Sequence, residues 1–201
     1  LQQYCRVDGV HPQRAGILPA GHRRRRVQHG TIRSLGEIAI ETDLLKSAFD
    51  AETSTFDFSP MFSEIKDIIG DADYTVADVE GTLGDTVSIS GTGSKMNTPS
   101  ALLTALKECG VDMLTLANDH ILDGTFAELT ATMENITNAG LSYIGAAATQ
   151  EERNTPVIKD VNGIKVGFVA YTTALNNTSN VDSRAQEYGV CHVINSNAAE
   201  D

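Results

Sequence analysis

The sequence is poor in cysteine, in long apolar runs and, beyond its first 34 residues, in positive charge. Its three cysteines, Cys5, Cys109 and Cys191, are odd in number and widely spaced, which excludes a disulfide framework or a cysteine zinc pattern. Cys109 falls on an apolar helical period and reads as a small core residue. The longest apolar run, residues 164–171, is interrupted by Lys165 and falls far short of the ~20 residues that a membrane-spanning helix needs, so no transmembrane segment is expected. Residues 1–34 supply arginines without the apolar stretch that would make a secretory signal.

The formal net charge of −12 is spread unevenly. Residues 1–34 carry seven arginines and one acid, whereas residues 35–201 carry eight basic and twenty-six acidic residues. So acidic a body disfavours nucleic acid and anionic membrane as partners. A polyanionic substrate would need a local countercharge, and a bound divalent cation is the obvious source of one.

With 201 residues, 41% of them hydrophobic, the chain suits one domain with a real core. Residues 1–34 show no period of 2 or 3.6 and read as a disordered or unrelated leader, with the arginine run at 23–26 as an alternative polyanion-binding patch. The domain proper is expected over residues 35–201.

From residue 35 onward, short apolar runs alternate with amphipathic windows, the mark of an α/β fold. Strands are expected at 35–40, 74–79, 112–117 and 141–144, and helices at 43–49, from Ser59-Pro60 to Gly70, from Thr98-Pro99 to Gly110, and from Thr125 to Gly140. In the second helix Phe62, Ile65, Ile68 and Ile69 mark the apolar face; in the third, Leu102, Leu103, Leu106 and Cys109 do so. Thr125 and Glu128 have capping-box spacing. Residues 157–161 and 164–171 flank Asn162-Gly163, a signal for a type I′ hairpin. The loop at 81–97 is long for a compact domain unless it serves a site; its stretch 90–94 lacks the Lys-Ser/Thr ending of a P-loop and reads as substrate-facing.

Ligand sites in parallel α/β sheets form beyond the carboxyl ends of the strands. Three such ends carry polar clusters: Gly36-Glu37 with Glu41 nearby, Asp78-Val79-Glu80-Gly81, and Asn118-Asp119-His120 followed by Asp123-Gly124. Hard oxygen donors with one imidazole suit a divalent-cation site able to clamp a phosphoryl group. Glu80 fits a bridging ligand, Asp119 a terminal ligand, and His120 a group that protonates a leaving oxygen or steadies developing charge. Acidic residues at strand ends also cap helices and solvate loops. Asp123 is expected to hold the turn before Thr125, and Asn118 reads equally as a ligand or as an amide pinning the loop.

The runs DYTVADVEGTL, TPSALLTALKECGVDMLTLANDHILDGT, AGLSYIGA and NGIKVGFVAYTT, in that order, closely resemble the capsule-synthesis CapA family of poly-γ-glutamate biosynthesis, a branch of the calcineurin-like metallophosphatases. The resemblance covers roughly residues 35–195. It implies a four-layer α/β/β/α metallophosphatase sandwich, of which this chain would hold the front part. It also implies two divalent ions (Mn, Mg, Fe or Zn) in the full-length protein, and a bacterial cell-surface role in making or attaching a polyglutamate capsule. By matching position it puts Glu37, Glu80, Asn118 and Asp119 on metal and His120 in catalysis, with an anionic polymer or phosphoester as substrate and a membrane synthase complex as a possible partner. Whether the site is enzymatic, or only holds polymer or synthase through bridging cations, stays open at this level.

The sequence departs from the family pattern in several places. Gly36-Glu37 stands where the family has Gly-Asp, Asp78 opens its Asn-x-Glu motif, and Asp119 replaces the second asparagine of its Asn-Asn-His motif. Two neutral donors thus become anionic, which would bind a cation more tightly while blunting its Lewis acidity. The family's later histidine motif is not found, since His192 lies in the apolar run YGVCHVI and reads as a packed histidine.

Overall fold

A computed structural model describes residues 27–85, 95–176 and 189–191 and the backbone of residues 3–9. The arginine run at 23–26, the stretch 90–94 and His192 lie outside the described residues. Two strands open the chain, β1 (Gln3–Gly9) and β2 (Gln28–Ile38), followed by helix α1 (Thr42–Ala48). A small hairpin of β3 (Phe49–Asp50) and β4 (Thr55–Phe56) leads to α2 (Ser59–Phe62) and α3 (Lys66–Gly70). Next come β5 (Tyr74–Val79), the two-residue strands β6 (Thr82–Leu83) and β7 (Asn97–Thr98), α4 (Ala101–Glu108), β8 (Met113–Thr115), α5 (Phe126–Asn138) and β9 (Ser142–Ile144). The short helix α6 (Gln150–Asn154) precedes the hairpin of β10 (Val157–Val161) and β11 (Ile164–Phe168).

Five strands form one sheet in the order β1-β2-β5-β8-β9. The β1–β2 pair is antiparallel, and β2, β5, β8 and β9 are parallel in sequence order. The fold class is therefore α/β, as the alternation of runs and windows implies. Successive side chains of β5 point to opposite faces, and the packing follows that period. Ala77 and Val79 join Leu114 in a core with Leu102, Leu103 and Leu106 of α4 and Leu129, Met133 and Ile136 of α5. On the other face Val76, Met113 and Ile144 meet Val157 and Phe168 of the β10–β11 hairpin. Helices thus cover one side of the sheet and a second β-layer begins on the other.

Most expected elements fall where the pattern puts them, with β5 at Tyr74–Val79 to the residue. Thr125 and Glu128 complete their capping box, and Asn162 and Gly163 both take positive φ, 53° and 82°, as a type I′ turn requires.

Two elements differ. The strand expected at 35–40 is β2, which begins at Gln28, seven residues earlier and inside the arginine-rich stretch. Its Arg33 is buried and donates to the carbonyls of Ile68 and Ile69, groups at the end of α3 that lack helical partners. A charge within the stretch read as a leader is thus held inside by backbone carbonyls. The helix expected from Ser59 to Gly70 is broken instead into α2 and α3, with i→i−3 bonds from Ser63 to Pro60 and from Ile65 to Phe62 between them. That tighter turn shifts the helical phase. Phe62 and Ile69 remain buried while Ile65 and Ile68 turn outward.

Candidate metal centre

The carboxyl ends of β2, β5 and β8 lie side by side. Glu37 pairs in register with Asp78, and Asp78 with Thr115, so three polar residues form one row across the sheet. Thr115 Oγ1 donates to Asp78 Oδ1 at 2.6 Å. Burial raises the Asp78 pKa; the Thr115 and Asn118 hydrogen bonds oppose it, and the charges of Glu37 and Asp119 add to it.

One residue past β5, the Glu80 amide still donates to the Ile38 carbonyl at 3.2 Å, which fixes where its side chain leaves the sheet. The chain then turns sharply at Gly81, φ +78°, and the Met96 carbonyl lies where a Cβ would stand. The glycine after the glutamate is thus a steric requirement of the site. Asn118 secures the same turn from the β8 side: its Nδ2 donates to the Val79 carbonyl at 2.9 Å, and its Oδ1 accepts from the Gly81 amide at 3.4 Å. These bonds pin the loop between the ends of β5 and β8.

Glu80, Asp119 and His120 come together, each offering one ligand atom, with those atoms within 4.8 Å of one another. His120 Nε2 lies 3.6 Å from Glu80 Oε1 and 4.0 Å from Asp119 Oδ2. Two carboxylates and an imidazole are a donor set that first-row divalent ions accept. Glu37 is exposed and reaches this group by a hydrogen bond to the Glu80 carboxyl. Glu41 is exposed and precedes α1.

Electrostatics mark Glu80 most strongly. Burial, then the hydrogen bond and charge of Glu37, push its pKa up to about 7; His120 pulls against this and Asp119 adds to it. Two carboxyls this close share a proton unless a cation replaces it. For His120, burial lowers the pKa, but the hydrogen bond and charge of Asp123, followed by the charges of Glu80 and Asp119, outweigh it and leave the pKa raised.

Asp123 holds more than the turn expected of it. Its buried Oδ2 lies 2.5 Å from His120 Nδ1 and accepts from the Met96 amide at 2.9 Å. The imidazole is thereby oriented with Nε2 toward the acidic group. The H-x-x-D spacing could have signalled this, since the turn bond from the Asp123 amide to the His120 carbonyl at 3.0 Å folds one residue back over the other. Asn176 carried no such signal. Its Nδ2 lies 3.1 Å from His120 Nε2 and its backbone amide donates to the Asp119 carbonyl at 2.9 Å, an approach made across 56 residues.

Comparison with known proteins adds two findings. A family model described as bacterial capsule synthesis protein PGA_cap matches residues 31–198. The capsule biosynthesis protein CapA of Bacillus anthracis is 33% identical over 70 residues, which is 35% of this chain and 17% of that protein. The match spans less than a fifth of that relative's length.

Proposed function

This chain belongs to the bacterial capsule synthesis PGA_cap family, and from that membership we infer that its acidic strand-end cluster is a divalent-metal site acting on a phosphoester or an anionic polymer intermediate of capsule synthesis. The observation that carries this reading is the meeting of Glu80, Asp119 and His120 at neighbouring strand ends. Poly-γ-glutamate is the polymer that the family resemblance suggests, and the cell surface is where such a polymer is assembled.

Glu80 and Asp119 would hold the cation, with Glu37 as the next carboxylate in reach. Mn, Mg, Fe and Zn all tolerate such oxygen donors, and a pair of ions in the full-length protein would use Glu80 as their bridge. A bound divalent ion supplies Lewis acidity toward a phosphoryl or carbonyl oxygen and makes water a better nucleophile. The remaining work belongs to the protein's own groups. His120 keeps Nδ1 on Asp123, so Nε2 is the atom that gives a proton to a leaving oxygen, and the Asp123 carboxylate steadies the imidazolium before transfer. Its raised pKa favours the protonated ring that a general acid needs.

The test is hydrolysis of bis(p-nitrophenyl) phosphate by the Mn²⁺-loaded protein, wild type against His120→Ala. Loss of about 10²–10⁴-fold in turnover in the variant is expected for removal of a general acid. Bound Mn²⁺ with no turnover above the variant would refute the enzymatic reading.

The density of carboxylates supports a second reading, in which the cleft holds polyglutamate or a synthase subunit through bridging cations without chemistry. Glu37, Asp78, Glu80, Asp119 and Asp123 would repel a polyanion unless cations lay between. Polymer binding that is equal in chelator and in Mg²⁺ would exclude it.

A further inference from the structure

We propose that Asn176 is a substrate-contact residue of this site, its side-chain amide donating to an anionic oxygen of the phosphoryl or carboxylate group held beside His120. This rests on the metal-site reading above and names a residue that the reading itself does not require.

The first support is position. Asn176 Nδ2 lies 3.1 Å from His120 Nε2, the ring atom left over once Asp123 has taken Nδ1. In the neutral ring Nε2 accepts from the amide; once Nε2 carries the proton it would give to a leaving oxygen it has no lone pair left, and the amide must release it. The amide then stands a hydrogen-bond length from the reacting atom with two N–H groups to give.

The second is chemistry. Glu37, Glu80, Asp119 and Asp123 are acceptors when ionised, and the Asn118 amide already donates to the Val79 carbonyl. An anionic oxygen entering this group gains from an uncharged donor, which Asn176 supplies without competing for the cation's charge.

The third is how the residue is held. The Asn176 backbone amide donates to the Asp119 carbonyl at 2.9 Å, tying it to the residue next to His120. Four residues earlier, buried Thr172 donates its amide to the Cys191 carbonyl, and Cys191 in turn donates to Gly145 at the end of β9. The Thr172 hydroxyl also donates to the Ala174 carbonyl at 2.8 Å, stiffening the span between. An exposed side chain on a segment fixed at both ends is placed to meet a ligand without paying for its own ordering.

The experiment is calorimetric binding of Mn²⁺, and then of inorganic phosphate to the Mn²⁺-loaded protein, for wild type, Asn176→Ala, Asn176→Gln and Asn176→Asp. Asn176→Ala should weaken phosphate roughly 10- to 100-fold, the range for one hydrogen bond to a charged group, while Mn²⁺ affinity stays within about twofold. Asn176→Gln, which retains the amide, should recover part of the loss. Asn176→Asp, which adds a carboxylate, should bind phosphate more weakly than Asn176→Ala. Phosphate affinity unchanged in Asn176→Ala would overturn the assignment alone. A parallel fall in Mn²⁺ affinity would overturn it too, since the amide would then serve the cation or the fold. No Mn²⁺ uptake by the wild type would overturn the metal reading and this assignment with it.

Discussion

Lowering the pH should weaken divalent-cation binding steeply, and the Glu80–Glu37 pair sets the scale. With a pKa of about 7, Glu80 keeps its proton through the mildly acidic range, and a cation must displace it. Proton competition at one site reduces apparent affinity by 1 + 10^(pKa − pH), which is about 11-fold at pH 6 and about 100-fold at pH 5, or about 1.4 and 2.7 kcal/mol. His120 has a raised pKa as well, so any involvement of its Nε2 steepens the curve further. The assay is Mn²⁺ titration calorimetry from pH 5 to 8.5 in buffers of different ionisation enthalpy, which counts the protons released. Release should approach one or more below pH 6 and fade above about pH 8. In Glu37→Gln the like charge is gone, and the midpoint should move to lower pH. Affinity that is flat from pH 5.5 to 8 would refute the account of Glu80.

The same groups set the stability of the metal-free protein. Raised folded-state pKa values for Glu80, Asp78 and His120 all mean that the folded state binds protons more tightly than the unfolded chain. Their contribution is therefore lost as pH rises, for Glu80 between its ordinary value of 4.5 and about 7, and melting temperature should fall toward pH 8 and recover on adding Mn²⁺. Gly81→Ala should cost more than the usual ~1 kcal/mol of a glycine replacement, because the new methyl group meets the Met96 carbonyl at a positive φ; denaturant unfolding measures it, and a neutral result would refute the steric account. Thr125→Ala should cost about 1 kcal/mol by removing one half of the capping box, with Thr125→Ser restoring most of it.

The sequence carried those parts of the fold that rest on local rules. Alternation located β5, Asn162-Gly163 located the hairpin turn, and Thr125-x-x-Glu128 located the start of α5. It concealed Arg33, because this buried arginine donates to carbonyls 35 and 36 residues away, and no composition window reports a partner at that distance. It also overran at Ser59–Gly70, where a chain that tightens for one turn keeps the same apolar letters but changes which of them face inward. The site divides in the same way. Glu80, Asp119 and His120 stand at strand ends, where the α/β rule looks first. Asn176 reaches the cluster only through the return of a later segment, which is a tertiary fact.

The paired strands β6 and β7 bear on how this site tolerates change. Thr82 donates to the Met96 carbonyl and Gly84 to that of Thr98, while Thr132 and Asn135 of α5 grip Leu83 from below. The two stems of the intervening loop therefore leave from fixed points, whatever is strung between them. Insertions or exchanges between those stems would leave the acidic cluster where it is. A lineage could therefore vary that interval in length and composition without disturbing the anchored carboxylates.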